Sequence, residues 1–307
     1  MPVSTARCPQ CPVTPRGDGP ALFISDLHLS PALPRTVQVF EDFLRGPARE
    51  ASILFILGDL FEYWVGDDML GADMPVSGRD APAASTTSAS ATTTEPLGAF
   101  ARRMTAALAE LAASGVPIAV MRGNRDFLLG ERFARAAGAV MLDDPCVFSF
   151  LGQALVLSHG DQLCTDDVGY QRFRRVAHSP LGKAFFLALP LRARMVLADR
   201  IRRRSAARGA HRMAYADANQ HAIHALLDAA GERTLVHGHT HRPARHADGR
   251  RVRWVLPDWE FDVTPPRGGY LQWDARGLRA VDLAPSTSGL PAADATDTDT
   301  DTDTADG

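Results

Sequence analysis

The sequence predicts an α/β fold with a largely parallel core sheet, and three observations carry that prediction. Five short apolar runs, each bounded by turn residues, have the length of buried strands. Helical periodicities lie between some of them, and all five runs lead straight into polar clusters. Strands that alternate with helices pack into a sheet with helices on its faces.

In chain order, Ala21 to Ile24 precedes Ser25-Asp26-Leu27-His28, and Ile53 to Leu57 precedes Gly58-Asp59. From Ala72 to Pro96, with its APAASTTSASATTT core, the chain offers no apolar surface to offset ordering entropy. It is expected to be a long disordered loop rather than a domain boundary. Leu97, Phe100, Met104, Leu108 and Leu111 recur at helical spacing before Ser114-Gly115. Pro117 to Met121 runs toward Gly123-Asn124-Arg125-Asp126, and Ala154 to Leu157 toward Ser158-His159-Gly160-Asp161. A helix is expected over Ala214 to Ala230, stopped by Gly231, before Thr234 to Val236 and His237-Gly238-His239-Thr240-His241. Residues 1–19 and the DTDTDTDT tail, 285–307, are expected to be disordered, leaving one domain over 20–284.

Composition agrees with a globular protein, at 307 residues with 45% apolar and 22% charged content. No long apolar run occurs, and Met1 to Pro20 is rich in Pro, so neither a spanning helix nor a secretory signal is expected. A cytosolic protein with reduced cysteines follows from that reading. Cys8 and Cys11 form a solitary CxxC without the second pair that a zinc ribbon needs. Net charge is −3, but the tail from Pro285 holds six Asp and no cation, so residues 1–284 carry +3. Residues 168–212 hold twelve Lys or Arg against Asp199 alone, an excess suited to phosphates or an anionic membrane face.

In an open α/β sheet the loops beyond the strand carboxyl ends share one crevice, so the five clusters can meet. Singly, each has an ordinary reading as a turn, a cap or a hydrogen-bonded histidine. Together they offer carboxylate and amide oxygens with imidazole nitrogens, ligands for Mn²⁺, Fe²⁺ or Zn²⁺, with no thiolate of the structural zinc kind.

The ordered set DxH, GD, GN, H and GHxH resembles the calcineurin-like metallophosphoesterases. That resemblance implies helices flanking two mixed β-sheets and a dinuclear centre. One metal is expected on Asp26, His28, Asp59 and His239, the other on Asp59, Asn124, His159 and His237, with Asp59 bridging. Many of these enzymes follow Gly-Asn with a histidine that can protonate an alkoxide leaving group. Here Arg125 stays charged and cannot be that acid, so a leaving group that needs little protonation, such as a phosphate monoester, is expected.

Longer stretches, FISDLHLS, ILGDLFEYWVGDD, GNRDFLLGERFA, LSHGDQLCTDDVGYQRFR, FLALPL and VHGHTHRP, resemble the UDP-2,3-diacylglucosamine hydrolases of lipid A biosynthesis over residues 21 to about 260. The resemblance implies hydrolysis of the substrate's pyrophosphate bond by metal-activated water attacking the α-phosphorus, giving 2,3-diacylglucosamine 1-phosphate and UMP. It implies two divalent cations, Mn²⁺ foremost, with Asp59, Asn124, Arg125 and His159 catalytic. A helical cap over about 168–212 is expected to bring Asp167, Ser205, Gly209 and Arg212 to the substrate beside Asn124, Arg125 and His237. Gly209 and Arg212 stand where the family commonly has Asn and Lys. Within that segment Phe185 to Leu197 interleaves apolar residues with Arg192 and Arg194, which suits acyl chains beside phosphates and a peripheral seat on the cytoplasmic face of the inner membrane. No nucleic acid and no obligate protein partner is expected. The alternatives are a phosphodiesterase or nucleotide pyrophosphatase of different substrate choice and a non-catalytic binding protein of the same fold, which would be expected to lack ligands.

Overall fold

The computed structural model describes residues 8–71, 95–211 and 217–283, with side chains from 202 to 211 left out. In order, the chain forms β1 (Ala21–Ile24), α1 (Pro34–Arg45), β2 (Ile53–Leu57), α2 (Leu97–Ala113), β3 (Ile118–Met121), α3 (Glu131–Ala137), β4 (Ala139–Leu142), β5 (Cys146–Phe150) and β6 (Gln153–Ser158). There follow α4 (Val168–Ala177), α5 (Pro180–Leu187), α6 (Leu191–His211), α7 (Gln220–Ala230), β7 (Thr234–His237), β8 (Ala244–Asp248), β9 (Arg251–Val255), β10 (Gly269–Asp274) and β11 (Gly277–Asp282).

The strands make two mixed sheets, as the resemblance implies, where strand patterning alone suggested one largely parallel sheet. The first runs β11-β10-β1-β2-β3-β4 and the second β5-β6-β7-β9-β8. Parallel pairing joins β1 to β4 in one sheet and β6, β7 and β9 in the other, while β5, β8, β10 and β11 add antiparallel partners.

Period-two alternation gives the central strands two apolar faces. On β1, Ala21 and Phe23 face the second sheet with Phe55, Phe148 and Leu157. Leu22 and Ile24 face the helices with Phe40, Met104 and Phe133. A third cluster packs Val147, Val156 and Leu235 against Ile223, Leu226 and Leu227 of α7. The layers are therefore helix, sheet, sheet and helix. Strands covered on both faces read as unbroken apolar runs, which is why five of them are visible in the sequence.

Helix α2 begins and ends as its spacing predicts. Helix α7 does not reach back to residue 217, because the Asn219 side chain accepts from the His221 and Ala222 amides and caps the start at Gln220. The expectation of an unordered extension fails for residues 8–19. The Val147 amide donates to the Pro9 carbonyl and the Cys11 amide to the Val147 carbonyl, so this segment lines the β5 edge. Arg16 then donates to the carbonyls of Arg49, Ala51 and Ser114. Residues 1–7, the bulk of the 72–96 loop and the tail lie outside the described residues.

Helices α4 to α6 form the inserted segment, and α4 and α5 bury no residue. The segment is tied down by Arg194, 3% exposed, which donates to the Val65 and Leu189 carbonyls and to Asp68. Arg194 thus faces inward and is not part of a basic outer face, contrary to its reading from the sequence.

Candidate metal centre and active site

Five polar loops meet at the carboxyl ends of β1, β2, β3, β6 and β7, as expected. Among the described non-glycine residues, six have a left-handed φ, and five of them stand here: Asp26 (56°), His28 (50°), Asp59 (52°), His239 (68°) and His241 (50°). Such conformations persist only where surrounding bonds over-determine them. The loops supply those bonds. The Asp26 amide donates to the Gly58 carbonyl and the His28 amide to the Asp59 carbonyl. The buried Asp126 carboxylate accepts from the amides of Asp59, Leu60, Phe61 and Gly123, locking the second loop to the third. Gly123 allows that approach, since a methyl group there would overlap the Asp59 carboxylate.

Two groups of side chains result, Asp26 with His28 and His241, and Asp59 with His159 and His239. Within each group the ligand atoms lie within 4.8 Å of one another. Asp59 links the two. Its Oδ2 stands 3.9 Å from His28 Nε2 and its Oδ1 3.8 Å from His159 Nε2, while Oδ1 also accepts from the Arg125 amide at 2.8 Å. Asn124 Oδ1 lies 3.1 Å from His159 Nε2, which places it with the second group.

This geometry corrects the partition expected from the sequence. His239 sits with Asp59 and His159 rather than with Asp26 and His28, and His241 takes the place assigned to it. His237 joins neither group. It is the last residue of β7, its Nδ1 lies 2.8 Å from the Gly238 carbonyl, and a methyl at Gly160 would press on its ring. Three histidines at alternate positions offer two pairs, and only the turn at Gly238 decides which pair faces the clusters.

The donors fit divalent cations. Asp26 Oδ2 accepts from Ser25 Oγ and the His239 amide, while its buried Oδ1 makes no hydrogen bond among the described residues and stands 3.5 Å from His241 Nε2. A buried carboxylate oxygen facing imidazoles, in an oxygen and nitrogen set without thiolate, is the environment such ions favour. Without a cation, imidazolium charge fills the role. Burial opposes protonation of His159, but Asp59 and Asp26 outweigh it and raise the ring to about 9. Burial likewise opposes protonation of His241, and contacts with Asp258 and Asp26 lift it to about 11. Burial and the neighbouring His159 push His239 down to about 4.

Arg125, on the loop after β3, lies 3.8 Å from Glu62 through Nη1. Asp167 caps α4 by accepting from the Tyr170 amide. The surroundings of Ser205 and Gly209 on α6, and Arg212 altogether, are outside the described residues. Several members of the site were missed in the sequence. Asp161, 1% exposed, accepts from Tyr170 Oη at 2.6 Å and Arg174 Nε at 2.7 Å. Asp144 accepts from Ser158 Oγ and the His159 amide, and Tyr170 stacks on His239 at 6.1 Å between ring centroids. Asp161 lies in the SHGD cluster and was legible there. Arg174 gave no local signal.

Sheets, strand-end loops and paired clusters are those of a calcineurin-like phosphoesterase, whose family model matches residues 19–243. At closer range the chain is similar to proteins named UDP-2,3-diacylglucosamine hydrolase. The one from Ralstonia nicotianae is 44% identical over 278 residues, 87% of this chain and 93% of that one. Those from Aromatoleum aromaticum and Bordetella parapertussis are 44% and 41% identical, covering 84% and 86% of this chain and 94% and 95% of theirs. The chain belongs to this UDP-2,3-diacylglucosamine hydrolase family of the calcineurin-like phosphoesterases.

Proposed function

We propose that the protein hydrolyses the pyrophosphate bond of UDP-2,3-diacylglucosamine by attack of water on the α-phosphorus, releasing 2,3-diacylglucosamine 1-phosphate and UMP in lipid A biosynthesis. The observation that carries the reading is the Asp59 carboxylate, whose two oxygens face two separate clusters in a chain 44% identical to named hydrolases of that substrate. Asp26, His28, Asp59 and His241 would hold one cation, and Asp59, Asn124, His159 and His239 the other. Two bound divalent cations, Mn²⁺ by preference, supply Lewis acidity that activates water and offsets phosphoryl charge.

The chain's own residues do the rest. Asn124 and the Arg125 guanidinium orient the diphosphate, and Arg125 meets the departing phosphate as a fixed cation that transfers no proton. Asp126 holds the Asp59 and Gly123 loops in register while charge develops between them. Asp167, Ser205, Gly209 and Arg212 would meet the substrate from the side of the inserted segment. Exposed apolar residues on α4 to α6, among them Val176 (67%), Leu181 (84%), Phe185 (74%) and Val196 (52%), support a seat for acyl chains and for the membrane surface. Among the described residues no helix is long and apolar enough to cross a membrane, and the attachment proposed is peripheral, on the cytoplasmic face of the inner membrane.

The test is incubation of purified protein and Mn²⁺ with UDP-2,3-diacylglucosamine in ¹⁸O water. Label in UMP is expected. Label in the lipid phosphate would move the attack to the other phosphorus, and no turnover would remove the substrate assignment.

A further inference from the structure

The two clusters differ in what stands behind their imidazoles. His28 Nε2 and His241 Nε2 converge at 3.4 Å, and the far nitrogen of each ring abuts a carboxylate. His28 Nδ1 lies 3.1 Å from Glu62 Oε2, and His241 Nδ1 lies 3.3 Å from Asp258 Oδ2. Both acids are shielded, at 17% and 1% side-chain exposure. Asp258 is fixed by Arg267 through Nε and Nη2, and the next residue, Trp259, donates its amide to the Asp26 carbonyl. One loop therefore orients two members of the cluster.

Among the described residues no carboxylate stands against the far ring nitrogens of the other cluster. His159 Nδ1 meets the Leu57 carbonyl at 2.9 Å, and Asn124 is a neutral amide. Asp161 and Asp144 are the nearby acids, but Arg174 and Tyr170 occupy Asp161 Oδ2, Asp144 takes the Ser158 hydroxyl and the His159 amide rather than a ring nitrogen, and among the described residues no ion pair joins either to His239. A carbonyl fixes a ring's tautomer as well as a carboxylate does. Only the carboxylate adds charge that makes the opposite nitrogen a stronger donor to a cation. Arg267 offsets part of the Asp258 charge, but it is 51% exposed and screened by solvent.

Resting on the two-cation reading above, we propose that Glu62 and Asp258 are positioning residues that make the Asp26, His28 and His241 cluster the tighter and first-filled of the two sites. Loss of such a partner typically weakens metal affinity by roughly 10 to 100-fold. The effect should fall on one binding step.

The test is titration of metal-stripped full-length protein with Mn²⁺, following free ion by its aqueous EPR signal. Wild type is expected to bind two equivalents in two resolved steps. Asp258→Ala and Glu62→Gln should each weaken the first step by about 10 to 100-fold and leave the second in place. Asp258→Asn, which keeps the shape and polar contacts, serves if the alanine variant fails to fold. Glu260→Gln, which alters only the outer partner of Arg267, should change neither step. An unchanged first step in folded Asp258 and Glu62 variants, or equal weakening of both steps, overturns the asymmetry. Fewer than two equivalents on wild type overturns the dinuclear reading itself.

Discussion

Replacing Arg174 by Met tests how the inserted helices are joined to the catalytic loops. Arg174 Nε donates to Asp161 Oδ2 at 2.7 Å, and its Nη2 stands 3.6 Å from Asp144 Oδ2. Asp161 is 1% exposed and follows His159 by two residues. Removing one partner of a buried pair costs about 3 to 5 kcal/mol, because the other charge is left uncompensated. Tyr170 Oη still donates to the same oxygen, which places the expected loss near the lower bound, about 3 kcal/mol. Burial raises the Asp161 carboxyl, but the charges of His159 and Arg174 outweigh it and hold it well below the usual range. A depressed carboxyl contributes stability that is present above its unfolded value, about 4, and lost as pH falls through the folded value. The gap between wild type and variant should therefore be full at pH 7 and narrow below about pH 4. Urea unfolding of the metal-free proteins at both pH values measures it. A gap under about 1 kcal/mol at pH 7, typical of a surface pair, would refute the buried-latch reasoning.

Asp59→Asn removes charge from the carboxylate that faces both clusters, so turnover should fall by orders of magnitude and both Mn²⁺ equivalents should weaken, whereas His239→Ala should empty mainly one. Two full equivalents with normal turnover in Asp59→Asn would contradict the site. Because His159 and His241 are raised to about 9 and 11, the metal-free protein holds both rings protonated at pH 7, and Mn²⁺ binding should release protons and tighten as pH rises. Calorimetry in buffers of different ionisation enthalpy reads the release, and none at pH 7 would contradict it. Leu181→Ser with Phe185→Ser removes two exposed apolar side chains; since each buried methylene is worth about 0.8 kcal/mol, catalytic efficiency on the diacyl substrate should fall by at least tenfold while a small phosphodiester is spared. Equal loss on both substrates would place these residues in folding rather than in lipid binding.

The parts legible in the sequence are those where one residue type has one local meaning. The runs at β1, β2, β3, β6 and β7 are apolar on both faces, and α2 carries an uninterrupted helical stripe, so both read directly. Strand β8 is exposed along its whole length and β11 is half-buried with no buried residue, so neither shows an unbroken apolar run, and the two mixed sheets are read from the family motifs rather than from strand patterning. The ligand residue types and their strand-end positions were visible, but the pairing of His239 and His241 depends on backbone dihedrals after Gly238. Glu62 and Asp258 stand behind the ligands, and only the folded chain shows that they face His28 and His241. Residues 8–19 read as loose because their anchoring consists of backbone hydrogen bonds and one arginine among carbonyls, for which side-chain composition gives no sign.

The left-handed conformations of Asp26, His28, Asp59, His239 and His241 have a consequence for variation. Each costs of order 1 kcal/mol even though Asp and His tolerate the region better than most residues, about 5 kcal/mol together, against a net stability of roughly 5 to 15 kcal/mol for a whole protein. Glycine at any of the five would relieve that tension, but it would also strand the buried partners of the side chain removed, at about 3 to 5 kcal/mol for a broken pair, so a population selected for heat resistance gains nothing from glycine there unless the partner changes as well. Selection that also requires turnover has to find its added stability elsewhere, in the sheets and helices that carry the loops.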